Sequence, residues 1–146
     1  MYVAIDPGEN VGMAMFTDTG EDIRKLTLRL PQFRETLALL MVTDKTYHFI
    51  VEDFRLRKDK ALDQIGATMP AARAIGAVEM MVAILGERAS ITMVQPSMLT
   101  SALKAAGFAR YANNRRLHPP DDIAAYSHGV QHLIDIGLRR HPVLDA

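Results

Sequence analysis

"YVAIDPGENVGMAMF", residues 2–16, is an apolar run that ends on an acid, turns through Pro-Gly and opens a second apolar run. Tyr2–Ile5 and Val11–Phe16 read as the two strands of a hairpin. The residue before a proline is driven toward extended backbone, so Asp6 carries the first strand to its end. Pro7 fixes its own φ and donates no N–H, and Gly8 admits left-handed backbone, so the chain leaves the sheet sharply after Asp6. A carboxylate is thereby left at the rim of a sheet. "DPG" is also a good turn sequence in its own right, with the aspartate accepting local amide hydrogen bonds. What shifts the reading toward chemistry is a second acid in a similar position.

That acid is Glu52. It follows "FIV" directly within "HFIVEDF", His48–Phe54, a strand whose continuous apolar part implies burial on both faces. An ionised carboxylate near a core is costly unless it is paired or bound to metal. If the strands ending at Asp6 and Glu52 are adjacent and parallel, their carboxylates end side by side, where they favour a shared proton or a divalent cation. Mg²⁺ is a natural occupant, since it takes oxygen ligands and keeps several waters.

The other elements follow from periodicity and punctuation. "DTG", Asp18–Gly20, is a second turn, and Ile23–Leu30 alternates apolar and polar as a half-exposed strand does. Pro31 suits the first turn of a helix that runs to about Met41. After Glu52 comes a polar, basic loop, "RLRKDKALDQIG", and then a helix from Met69 to Leu85. That helix is apolar almost all round and so is predicted to be an interior one. "ASITMVQP" is a fifth strand stopped by Pro96, "SMLTSALKAAG" a short helix closed by Gly107, and "FARYANNRRLHPP" a loop. A last helix runs from near Asp121 to about Arg140. The order β-β-β-α-β-α-β-α predicts an α/β fold: a five-stranded mixed sheet, three antiparallel strands first, with helices on both faces.

The last helix is a third source of acid. Pro119 and Pro120 prevent an earlier start, which puts Asp121 and Asp122 in its first turn, where aspartate also caps and complements the helix dipole. At about 100° per residue, its apolar face gathers Ile123, Tyr126, Val130, Leu133, Ile134 and Gly137. Asp122 falls at the edge of that face and is expected to reach the sheet rim. Asp121 points nearly opposite and is expected to cap the helix, with His128 and His132 on its side, in solvent.

Composition narrows the classes. With 146 residues, 49% of them hydrophobic, the chain is expected to form one domain over 1–146. A formal net charge of zero means that any basic surface is local. The absence of cysteine excludes disulfides and thiolate–metal sites. The first residues form no secretory signal. The longest apolar stretch, broken by Arg73 and Glu79, falls short of a membrane span, so a cytoplasmic protein without a membrane partner is expected.

Taken together, these segments resemble the RuvC family of Holliday-junction resolvases, within the RNase H-like nuclease superfamily, in a compact phage-type form. The resemblance rests on "AIDPGENVGMAMF", on the strand, basic loop and helix of "FIVEDFRLRKDKALDQIGATMPAARAIGAVEMMVAILG", on "VQPSMLTSALKAAG" and on "DDIAAYSHGVQHLI". It implies an RNase H-like fold. It also implies that Asp6, Glu52 and one or both of Asp121 and Asp122 hold a pair of Mg²⁺ or Mn²⁺ ions, with no small-molecule cofactor. The family's last two site residues stand three apart, as Asp or His followed by Asp. Here two aspartates are adjacent and His118 stands three before Asp121, so the register is open. The segment between Gly107 and Asp121 is also shorter than in the family's longer members.

The activity implied is two-metal phosphodiester hydrolysis in branched double-stranded DNA, leaving a 5′-phosphate and a 3′-hydroxyl. His118 or His128 is available for proton transfer. Arg55, Arg57, Lys58 and Lys60 after the Glu52 strand, with Lys104, Arg110, Arg115 and Arg116 before the final acids, are candidate contacts to the DNA backbone. Phe54, Phe108 and Tyr111 are candidates for stacking on bases. Paired cuts imply a twofold homodimer, with the Met69–Leu85 helix as its candidate interface. Three other readings are carried alongside: an RNase H-like enzyme cutting hybrids, flaps or forks; an actin-like nucleotide-binding protein, which would need a second domain; and a non-catalytic DNA-binding protein.

Overall fold

The structure, a computed structural model, describes residues 1–19, 24–53, 69–114 and 116–139. Its elements are β1 (Tyr2–Asp6), β2 (Asn10–Phe16), β3 (Arg24–Arg29), α1 (Leu30–Met41), β4 (Tyr47–Glu52), α2 (Pro70–Leu85), β5 (Ala89–Val94), α3 (Leu99–Ala105), α4 (Ala109–Asn113) and α5 (Asp121–Asp135). The strands form one sheet in the order β3-β2-β1-β4-β5. β1, β2 and β3 pair antiparallel, while β4 runs parallel to both β1 and β5. This is the five-stranded mixed sheet expected from the sequence, and helices cover both of its faces.

The two faces are built from different side chains. Large residues of alternating strand positions, Val3, Ile5, Val11, Met13, Phe49 and Val51, meet Phe33 and Leu37 of α1 and Ala74, Val78, Met81 and Leu85 of α2. The opposite face is low-relief: Ala4, Ala14, Phe16 and Ile50 pack on Ala125, Tyr126, Val130 and Leu133 of α5 and on Ala105 of α3. Small residues here let α5 lie close to the sheet. A Cβ added to Gly129 would sit 2.3 Å from Cζ of Phe16 and 3.1 Å from Cβ of Ala4. The close fit sets the depth of α5 and therefore the height of its N-terminus.

Several expectations are corrected. α2 is not an interior helix: Met80 and Ile84 are exposed at 63% and 60%, because only its Ala71–Ala74–Val78–Met81–Leu85 stripe reaches the sheet. α5 ends at Asp135 rather than near Arg140. Gly137 takes left-handed backbone there (φ 77°), and the N–H of Gly137 and of Leu138 return to the carbonyls of Ile134 and Leu133, which stops the helix. The expected loop after Gly107 contains the short helix α4. β4 stops at Glu52, and Phe54 lies outside the described residues. Among the described residues, no helix is long and apolar enough to cross a membrane.

Candidate active site

β1 and β4 are neighbours and parallel, with Ile5 opposite Val51, so Asp6 and Glu52 are the next residues on adjacent strands. Both carboxyl groups are thus delivered to one end of the sheet. Asp6 still pairs with Gly12 of β2, and over Gly12 lies the first turn of α5. A Cβ on Gly12 would stand 2.0 Å from the carbonyl oxygen of Asp121 and 2.9 Å from the nitrogen of Asp122. The absent side chain at position 12 is what lets the start of α5 sit against the strand beside Asp6.

Charge follows the same geometry. Burial pushes the Asp6 carboxyl up to about 7, and the charges of Glu52 and then Asp121 push the same way. Burial also raises Asp121; there the neighbouring His118 opposes the shift and Asp122 adds to it. The charges of Glu52 and Asp121 therefore both bear on Asp6. The helical-wheel expectation is reversed at this point: Asp121, not Asp122, is the acid whose charge reaches Asp6. The N-cap position is held by Pro120, and Asp121 is the first helical residue. The wheel weighted large apolar residues, and Tyr126, Val130 and Leu133 do meet the sheet, but the same contact takes in the small residues Ala125 and Gly129, in line with Asp121.

That face also carries the histidines. His128 is 1% exposed, and its Nε2–H donates to Oε2 of Glu52 at 2.8 Å. The expectation of a solvated His128 is thus corrected. Its position seven residues from Asp121 places it two turns further along the same stripe, beneath the end of β4. The contact ties α5 to β4 and fixes one oxygen of Glu52. His132, also expected in solvent, is half-buried and stacks on His48 with ring centroids 5.0 Å apart. His48 is in turn bound to Ser90 Oγ at 2.5 Å and Thr92 Oγ1 at 2.9 Å. Burial lowers both rings below the usual histidine range.

The His128–Glu52 contact carries a stability prediction. His128→Ala leaves a largely buried carboxylate without its donor and is expected to cost about 2–3 kcal/mol. Urea unfolding measures it, and an unchanged midpoint would show that the contact contributes nothing. His128→Gln, which retains an N–H donor of similar reach, is expected to recover part of the loss.

The other sequence candidates are spread more widely. His118 is exposed beside Asp121, and its Nδ1–H donates to the carbonyl of Pro119 at 2.9 Å. Lys104 is exposed on α3, and Arg116 is exposed ahead of the two prolines. Arg110 lies over the ring of Tyr111, 4.5 Å from its centroid, and donates to its hydroxyl at 2.7 Å. Phe108 packs edge-on against Tyr126, with Lys25 of β3 above both rings. Phe108 is thus a packing residue, and Lys25 is a basic neighbour of α5 that sequence reading missed. Arg55, Arg57, Lys58, Lys60 and Arg115 lie outside the described residues.

As they stand, no three or more His, Asp or Glu side chains among the described residues form a group arranged to hold a metal ion. The donor chemistry does suit one: Asp6, Glu52 and Asp121 offer carboxylate oxygens, the ligands hard divalent cations prefer, and a cation would offset both the burial and the neighbouring charges that raise Asp6.

The topology is that of an RNase H-like fold. A solved structure of T. thermophilus RuvC in complex with a Holliday junction substrate shares it, with a TM-score of 0.58 at 15% sequence identity over 94% of this chain and 96% of that one. At this identity the likeness is one of fold. No protein-family model matches the chain, and no curated protein matches its sequence.

Proposed function

We propose that this protein is a divalent-metal-dependent endonuclease that cuts branched DNA, four-way junctions first among its substrates. The observation that carries the reading is that Asp6 and Glu52 end adjacent parallel strands beside the first turn of α5, with Asp6 raised to about 7 by burial and by the charges of Glu52 and Asp121. Acids crowded in this way are unfavourable to the fold and are kept where a cation or a proton is to be held. The likeness in fold to a junction-bound resolvase supports the choice of substrate.

In this reading Asp6, Glu52 and Asp121 hold Mg²⁺ or Mn²⁺, with Asp122 beside them. When bound, a metal pair supplies an activated water and a counter-charge for the leaving 3′ oxygen. The chain's own part is positional. The Asp-Pro-Gly turn ends β1 at the rim, Gly12 admits the start of α5, and His128 fixes the Glu52 carboxylate. His118, beside Asp121, is placed to exchange protons with solvent. Lys104, Arg110 and Arg116, with the basic residues after Glu52, supply positive charge for a phosphate backbone. Two symmetric cuts need two sites, so the acting species is a homodimer. The exposed apolar edge of α2 at Met80 and Ile84, beside Met41 of α1, is the surface that a second copy would cover.

The test is a four-way junction of synthetic oligonucleotides incubated with Mg²⁺ or Mn²⁺, beside fork, flap and RNA–DNA hybrid substrates. Paired nicks in the junction are expected from the wild type and none from Glu52→Gln. Asp121→Asn is expected to reduce the rate more than Asp122→Asn, since Asp121 is the acid coupled to Asp6. Cleavage of the hybrid alone would move the substrate to RNA–DNA duplexes. No cleavage of any substrate would remove the nuclease reading.

A further inference from the structure

The acidic end of the sheet has a neighbour that the acids do not use. A hollow of about 470 Å³ is bounded by Glu9 and Asn10 of the first turn, by Arg29 and Pro31 at the start of α1, and by Pro70 and Arg73 at the start of α2. It opens at the same end of the sheet as Asp6: one tight turn leads from Asp6 to Asn10, and Asn10 pairs with Arg29 across β2 and β3. A larger hollow of about 650 Å³, bordered by His48 and Ser90, lies at the other end of the sheet, away from the acids.

Both arginines are exposed, and neither guanidinium forms an ion pair among the described residues. Neither side-chain charge favours its helix. Arg29 stands at the N-cap of α1, where its N–H donates to Gln32 Oε1 at 3.1 Å, and Arg73 is the fourth residue of α2. Neither helix has an acid in its first turn. A cation there is opposed by the positive end of the helix dipole. Cations kept where they weaken the fold imply a use for their charge. Among the described residues that line it, two guanidinium groups against the single carboxylate of Glu9 leave the hollow net positive.

We propose that this hollow is a subsite for the phosphodiester backbone of the nucleic acid, with Arg29 and Arg73 each holding a phosphate of the strand that passes beside Asp6. The proposal rests on the nuclease reading and extends it to two residues outside the acidic cluster. A guanidinium fork matches the oxygens of a phosphate, which favours arginine over lysine for holding a strand in register. A free phosphate is a poor occupant, since Asp6 and Glu52 repel an isolated anion nearby. A strand anchored at several phosphates tolerates that repulsion.

The experiment measures binding without cleavage: a fluorescein-labelled four-way junction in EDTA buffer, followed by anisotropy between 50 and 200 mM salt. Each phosphate contact contributes about 0.9 to the slope of log affinity against log salt. Arg29→Gln and Arg73→Gln are each expected to lower that slope by about 0.9, and the double variant by about twice as much. The double Arg→Lys variant, which keeps the charge, is expected to retain the wild-type slope. Lys45→Gln, exposed at the opposite end of the sheet, is expected to leave it unchanged. Glutamine variants with the wild-type slope, or Lys45→Gln with an equal drop, overturn the subsite while leaving the nuclease reading in place. A wild type that binds no junction at any of these salt concentrations overturns both.

Discussion

Asp6→Asn is expected to abolish cleavage and, in metal-free buffer, to make the protein more stable. Removing one acid from a set that acts as a unit costs on the order of 10³-fold or more in rate, and junction binding in EDTA should survive because the basic residues are untouched. The stability gain has the opposite sign because of what the fold does to this carboxyl. Its value of about 7, against 3.8 for a free aspartate, means that the native state holds a proton that the unfolded chain releases between about pH 4 and 7. Native stability therefore declines as pH rises through that window and is flat above it. Near pH 4 and below, Asp6 is protonated in the native state and behaves much as asparagine would. At pH 8 it is charged, partly buried and faced by Glu52 and Asp121. A tenfold change in proton affinity is worth about 1.4 kcal/mol, so the gain at pH 8 is a few kcal/mol at most.

Thermal melts in EDTA at pH 4, 6 and 8 measure this. The difference in melting temperature between Asp6→Asn and wild type should be near zero at pH 4 and widest at pH 8. A difference that does not grow with pH would show that neither burial nor the neighbouring acids raise Asp6. Mn²⁺ supplies the complementary arm. An ion that binds only the native state stabilises it by about 2.7 kcal/mol at a hundred times its dissociation constant. The wild type should therefore gain stability on titration at pH 8, and Asp6→Asn should gain much less.

What could be read in the sequence, and what could not, divides along physical lines. Prolines and strand periodicity are local signals. Pro7, Pro31, Pro96 and the Pro119–Pro120 pair each mark an element boundary to within a residue or two, and the alternating strands gave the mixed sheet. Asp6 and Glu52 were legible because each ends an apolar run. The facing of α5 was legible only in part: Tyr126, Val130 and Leu133 do meet the sheet, but the stripe of Ala125 and Gly129 that shares the contact was not read, because hydrophobicity points toward large side chains. The signal was present in β2: "VGMAM" puts Val11, Met13 and Met15 on one face and Gly12 and Ala14 on the other. A strand with one small-residue face is prepared for a helix lying low on it, and that helix would bury whatever polar residues share its inner stripe. Asp121 and His128 were there to be found by that reasoning. The half-exposed state of α2 was not, since a mean over its residues does not reveal that one narrow stripe reaches the sheet. Arg29 and Arg73 are far apart in sequence, and only the convergence of two helix starts places them together.

The same low face gives the second large effect. Gly12→Ala adds one methyl group to a residue that carries no side chain, yet it is expected to cost on the order of 10²-fold in cleavage rate. The new Cβ would stand 2.0 Å from the carbonyl oxygen and 2.3 Å from the carbonyl carbon of Asp121. Those are backbone atoms in the first turn of a helix, so no side-chain rotation relieves the contact. α5 must lift at its N-terminus by roughly 1 Å or more to restore an ordinary van der Waals separation, which carries Asp121 away from Asp6. Overpacking of this kind also costs about 1–3 kcal/mol in stability, so a control must separate misplacement from loss of fold. Gly129→Ala serves: it creates a comparable clash on the same helix, but against the ring of Phe16 and the Cβ of Ala4, two turns from Asp121. With both variants assayed well below their melting temperatures, Gly12→Ala should lose far more activity than Gly129→Ala for a similar loss of stability. Junction binding, which depends on the exposed basic residues, should stay close to wild type in both. Equal losses of activity would mean that the position of the α5 N-terminus relative to Asp6 has no special part in the chemistry, and that Asp121 acts, if at all, only through the stability of its helix.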